Sequence, residues 1–135
     1  MWYVLEDTVP KNVTEANSRL TKIRTGPGVL HTIYAQIPAG TEGLARFRLW
    51  HESYCILPRN ESKSITGDGV LIDFREGYVM KAAENTLTLE TWNDDEIHQH
   101  TITLLVGVLP EWFVAPTMTL QRVVSEFMRM FRRRE

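Results

Sequence analysis

Apolar and polar residues alternate along most of the chain, most clearly over Asn85–Val108. Leu87 and Leu89 alternate with Thr86, Thr88 and Glu90. Ile102, Leu104, Val106 and Val108 alternate with Thr101, Thr103, Leu105 and Gly107. A period of two belongs to strands with one buried face. The polar run Asn93-Asp94-Asp95-Glu96 separates the two arms, so the stretch predicts the central β-hairpin of a small sandwich. Upstream, Leu20–Thr25 predicts a short edge strand closed by Gly26-Pro27-Gly28. Val29–Ile37 predicts a stronger one, with Val29, His31, Ile33, Ala35 and Ile37 on one face. In Leu44–Trp50, Ala45, Phe47 and Leu49 alternate with Arg46 and Arg48, a pair expected on a solvated outer face. Ser53–Leu57, Val70–Arg75 and Gly77–Ala83 add further strands. Short strands about ten residues apart, with turn residues between them, are the pattern of a sandwich or barrel.

The two ends read differently. Residues 1–19 contain Pro10 and no sustained period, and predict an N-terminal arm, irregular or only partly ordered, that opens on the apolar run Trp2-Tyr3-Val4-Leu5. Residues 110–116 form a linker bracketed by prolines. Residues 117–135 predict an amphipathic helix whose stripe is Leu120, Val123, Val124, Phe127 and Phe131, widened by Met128 and Met130. Arg129, Arg132, Arg133 and Arg134 gather at its end, where positive charge suits the helix dipole. The expected fold is therefore all-β: an antiparallel, jelly-roll-like β-sandwich over residues 20–109 with a C-terminal amphipathic α-helix.

Composition narrows the function. With 135 residues, 43% of them hydrophobic, the chain is long enough for one core. Its net charge of -2 gives no broad positive field, so any nucleic-acid contact would have to run through the Arg-rich C-terminus. One cysteine, Cys55, permits no internal disulfide and suits a reducing cytoplasm. There is neither a basic-then-apolar leader nor an apolar run of about 20 residues, so neither signal-peptide export nor membrane insertion is expected.

Candidate chemistry is sparse. His98 and His100, two apart on an expected strand, could offer both imidazoles to one metal as in cupins, but no further ligand follows at recognisable spacing. The alternative is that they close the rim of the core. Asp94-Asp95-Glu96 lacks the spacing of a calcium loop and reads as solvated acids. Thr66-Gly67-Asp68-Gly69 is a turn, and Cys55 a packed thiol. Trp92, opposite in parity to Leu87 and Leu89, could stack on a sugar beside the loop. No nucleophile, base and orienting group assemble, so no catalytic residue, cofactor or enzymatic activity is expected.

Ile37-Pro38-Ala39-Gly40, Gly43-Leu44-Ala45-Arg46-Phe47-Arg48-Leu49, Ile56-Leu57-Pro58-Arg59-Asn60, Thr66-Gly67-Asp68-Gly69, and Trp92-Asn93-Asp94-Asp95 with His100 form a series. It resembles small β-sandwich virion structural proteins of tailed bacteriophages over about residues 29–108. The resemblance implies a non-enzymatic assembly protein located in the virion, or in the cytoplasm if the chain is not of phage origin. Its partners would be copies of itself, capsid proteins or other virion proteins. The expected contact residues are Trp2, Tyr3, Leu120, Val123, Val124, Phe127 and Phe131. The rival readings are a carbohydrate-binding sandwich built on Trp92 and a cupin-like metal protein built on His98 and His100.

Overall fold

The alternation is realised in a computed structural model that describes residues 1–110, 124, 125 and 127–130. The strands are β1 (Trp2–Val9), β2 (Arg19–Thr25), β3 (Gly28–Ile37), β4 (Ala45–His51), β5 (Tyr54–Leu57), β6 (Ile65–Thr66), β7 (Val70–Met80), β8 (Asn85–Asn93) and β9 (His100–Pro110). They form two antiparallel sheets, one in the order β1-β9-β3-β7 and the other in the order β2-β8-β4-β5, with β6 also paired to β4. Only β4, β5 and β6 follow one another within a sheet. Every other connection crosses from one sheet to the other.

The core lies between the sheets and is built from the inward halves of the alternation. Leu30, Ile33, Ala35, Ile37, Ile102, Leu104 and Val106 come from one sheet, and Ala45, Phe47, Leu49, Leu87 and Leu89 from the other. Leu5 joins them from β1, and this corrects the reading of residues 1–19 as an irregular arm: Trp2–Val9 pairs with β9 along its whole length, from Trp2↔Gly107 to Val9↔His100. Of the inward positions Tyr3, Leu5, Asp7 and Val9 only Leu5 and Val9 are buried apolar residues, and the half-buried Asp7 between them breaks the apolar alternation that would have marked the strand.

The Asn85–Val108 hairpin is also corrected. Its arms are strands of different sheets, β8 against β2 and β4, β9 against β1 and β3. Six residues, 94–99, carry the chain across the ~10 Å between packed sheets, a span no tight turn could cover. Asn93 and Asp95 hold that crossing. The Asn93 side chain donates to the His98 carbonyl at 2.9 Å and accepts from the Asp95 N–H at 3.0 Å. Asp95 accepts from the N–H groups of Ile97 and His98 at 2.8 and 3.1 Å, and meets His100 Nε2 at 2.8 Å. The Ile97 N–H, then His100, then the His98 N–H hold the Asp95 carboxyl at about 2. Asp94 and Glu96 are exposed, as expected of a loop tip, whereas Asp95 is buried.

Smaller departures have local causes. Val70–Arg75 and the first part of Gly77–Ala83 are one strand, β7, which ends at Met80 and leaves Lys81–Ala83 in the turn before β8. A register shift between Leu30 and Thr32 breaks the parity of β3, so His31 leaves the face of Ile33 and meets the outer ring of Trp2. At the C-terminus Val124, Ser125 and Phe127–Met130 are helical. Leu120, Val123 and Phe131, with most of residues 110–116, lie outside the described residues.

Candidate functional site

The outer faces of the two sheets are chemically opposite. On the sheet of β2, β8, β4 and β5 the outward positions include Arg46, Arg48 and Trp50 of β4 and Thr88, Glu90 and Trp92 of β8, facing one another in register. Arg48 was expected to be solvated, but it is only 8% exposed. Its Nε donates to Glu90 at 2.7 Å, its Nη2 to Glu15 at 2.9 Å and its Nη1 to the Glu61 carbonyl at 2.5 Å. The guanidinium lies 4.7 Å from the centre of the Trp92 ring, in cation–π geometry. Ser18 and Trp50 donate to the same Glu90 carboxylate at 2.7 and 3.1 Å. Burial opposes ionisation of Glu90, yet the hydrogen bonds from Arg48, Ser18 and Trp50 outweigh it and hold its carboxyl below the usual range.

Arg48 thus ties the short 3-10 turn Glu15–Asn17 and the Glu61 backbone down onto the sheet. Beside this cluster Leu20, Lys22, Trp50, Glu52, Thr88 and Glu90 line a shallow hollow of about 250 Å³. Trp92 is 3% exposed and covered by Arg48, so the expectation of an exposed stacking ring there is wrong. The cause is the buried arginine, which parity alone places on a solvent face.

β7 and the other sheet are bridged by a histidine that the sequence did not flag, His51 of β4. Asn85 donates its amide to the carbonyls of Gly26 and Ala82, leaving Oδ1 for His51 Nε2 at 2.9 Å. The imidazole proton therefore belongs on Nε2, and Nδ1 accepts from the Tyr78 hydroxyl at 2.6 Å. Burial pushes the Tyr78 phenol up, and Tyr54 stacks on its ring at 5.6 Å. Both ring nitrogens are engaged within the fold, which suits a latch between sheets better than a general base.

The other sheet presents an outer face with an apolar centre and charged edges. Across its rows run Trp2, Gly107, Thr32 and Arg75; Val4, Leu105, Tyr34 and Asp73; and Glu6, Thr103, Gln36 and Leu71, with Arg75 donating to Asp73 at 3.1 Å along the β7 edge. Trp2 is 53% exposed, Val4 59% and Leu71 68%. Trp2 lies across Gly107, where an added Cβ would fall 2.8 Å from its ring and 2.9 Å from His31 Nε2. It stacks on Tyr34 at 6.1 Å between ring centres. Val4, Tyr34, Gln36, Leu71, Thr103 and Leu105 line a hollow of about 430 Å³. Side chains of this size left open to water are the mark of a contact surface.

Of the residues singled out from sequence, Trp2 stands on this face. Tyr3 points the other way and packs against the core. Val124 and Phe127 are exposed on the helix. His98 is exposed in the crossing loop and contributes its backbone, while His100 is buried against Asp95, so they do not share one strand face. Among the described residues no group of three or more His, Cys, Asp or Glu side chains is placed to hold a metal, and no helix is long and apolar enough to cross a membrane. Cys55 is packed, and burial pushes its thiol up. No family model, curated protein or solved structure matches the chain.

Proposed function

We propose that the chain is a non-enzymatic assembly protein, a structural component of a virus particle of the tailed-phage kind, acting through contacts with copies of itself or with shell proteins. The strand orders β1-β9-β3-β7 and β2-β8-β4-β5 support a jelly-roll reading of the sandwich, an architecture that recurs in capsid proteins but also in lectins and cupins. The fold therefore does not choose among the three, and side chains must. The carbohydrate reading rested on Trp92, which is buried under Arg48. The cupin reading rested on His98 and His100, which stand apart.

One observation carries the assembly reading: the outer face of the β1-β9-β3-β7 sheet leaves Trp2, Val4 and Leu71 more than half exposed around an apolar hollow. Light scattering tests it. The wild-type protein is expected to be multimeric at micromolar concentration, and the Val4→Glu, Leu71→Glu double variant to be monomeric with an unchanged circular dichroism spectrum. A wild-type monomer that does not associate, or a double variant with the wild-type mass, would overturn the proposal.

A further inference from the structure

The edges of the two sheets belong to β1, β7, β2 and the pair β5 and β6, and β7 is the one left open. β1 is tied to β2, where Arg19 donates to Asp7 at 2.8 Å. β2 carries Arg19, Lys22 and Arg24 and so repels a copy of itself, while β5 and β6 are only four and two residues long. β7 runs for 11 residues, pairs with β3 on one side, and among the described residues makes no backbone hydrogen bond on the other. Its inward Ile72, Phe74 and Tyr78 are only partly buried, and its outward Leu71 and Val79 are 68% and 45% exposed. Resting on the assembly reading above, we infer that β7 pairs antiparallel with β7 of a second copy, across a two-fold axis at Phe74.

Charge selects that register. A two-fold axis normal to the sheet keeps the outer faces of both copies on the same side, so outward residues meet outward ones. Only the register centred on Phe74 sets Asp73 against the partner's Arg75, and Arg75 against the partner's Asp73. A centre at Asp73 or at Arg75 would set like charges directly opposite, which destabilises a ladder. The bridge between Asp73 and Arg75 within one copy is exposed, 43% and 71%, and binds neither group strongly, so both can reach across. Size agrees with charge. The same register lays Leu71 over the partner's Gly77, where an added Cβ would meet nothing within 4 Å, and puts it on a diagonal to the partner's Val79. An inward charge such as Glu76 would ordinarily guard an edge, but Arg59 of its own chain already holds it at 2.8 Å.

The pairing runs from Val70 to Tyr78 of each copy, a ladder of roughly 30 Å. It joins the two four-stranded sheets into one of eight strands, with both hollows on a single outer face. One edge ladder between two free copies is as marginal as one face contact, because each must offset the whole cost of association. The edge and the face are nonetheless separate contacts on the same copy, and two contacts per copy are what a closed ring requires.

Charge reversal tests the register. Asp73→Arg and Arg75→Asp, made singly in the full chain, each set like charges opposite on both sides of the axis. Both side chains are exposed, so the circular dichroism spectrum is expected to stay that of the wild type. By light scattering each variant alone is expected to dissociate at a concentration at least about tenfold above that of the wild type, since two cross-strand pairs turn from attractive to repulsive. Mixed one to one, the two variants are complementary across the axis and are expected to recover the wild-type mass, with both chains in equal number by native mass spectrometry. The exchange Asp73→Arg, Arg75→Asp within one chain is expected to recover it too. Single variants that associate as the wild type does, or that stay apart when mixed, would overturn the inference while the assembly reading survived in a multimeric wild type. A wild type that is monomeric throughout would overturn both.

Discussion

Replacing Arg48 by Ala is expected to cost about 3–5 kcal/mol of folding stability, a large share of the ~5–15 kcal/mol typical of a single domain. The figure follows from how little of the cluster sees water. Arg48 and Glu90 meet at 2.7 Å with side chains 9% and 13% exposed, a depth at which removing one partner strands the other charge. By contrast Glu15 is 58% exposed, so its bridge adds only about 0.5 kcal/mol. The contact with the Trp92 ring adds about 1 kcal/mol and the bond to the Glu61 carbonyl about 1.5–3. These values overlap and do not sum, because the stranded Glu90 keeps its bonds from Ser18 and Trp50. Arg48→Met, Glu90→Gln removes both charges at similar volume and is expected to recover most of the loss. Urea titrations of Arg48→Ala, of the double variant and of Arg48→Met and Glu90→Gln alone, read by circular dichroism and compared at equal slopes, give the differences. A loss below about 1 kcal/mol in Arg48→Ala, the value of an exposed pair, would refute the buried-hub reasoning. A double variant as unstable as the sum of its singles would do the same.

Gly107→Ala places a methyl group 2.8 Å from the Trp2 ring. Trp2 and His31, 2.9 Å from the same methyl, must both shift, so a loss near ~1 kcal/mol is expected by thermal melting, and a smaller one when the same change is made in a Trp2→Ala background, where His31 alone has to move. For Asp95 the folded-state value of about 2 lies below the ordinary ~3.9, so its contribution is complete above pH 4 and is lost as pH falls through 2. Asp95→Asn should therefore melt below wild type at pH 7, with the gap closing between about pH 4 and 2; a gap independent of pH would contradict the assignment.

The alternation made most strands legible because burial on one face is what a period of two records. It gave the inward sets of β4, β8 and β9 correctly: Ala45, Phe47 and Leu49; Leu87 and Leu89; Ile102, Leu104 and Val106. Pairing is another matter, since the same pattern serves a strand whether its neighbour is next in sequence or lies 100 residues away. Adjacent β8 and β9 therefore read as a hairpin, while the β1–β9 ladder left no local trace. Loop chemistry gave the crossing segment its polarity but hid that Asp95 is a buried acceptor. Parity also treats every outward position as wet. That rule failed at Arg48 and Trp92, where loops distant in sequence cover the sheet, and held at Val4 and Leu71, where nothing among the described residues does.

The contrast between the two outer faces bears on how an assembly would be held. Around Arg48 the polar groups find partners within the chain, and no buried side-chain nitrogen or oxygen is left without one among the described residues. That face has little to gain from another molecule. The apolar face does, but modestly. A patch of about 300 Å² buried at ~25 cal/mol per Å² yields on the order of 7 kcal/mol. The association cost of about 4–15 kcal/mol consumes much or all of this, so one such contact between two free copies is marginal. Closure changes the balance: in a ring each copy is held by two contacts, and the last joins partners already at high effective concentration. Assembly through this face is therefore expected to be concentration-dependent and cooperative, moving from monomer to closed multimer without a populated dimer. Light scattering over a dilution series would show the opposite, a dimer plateau, if the face paired only with itself.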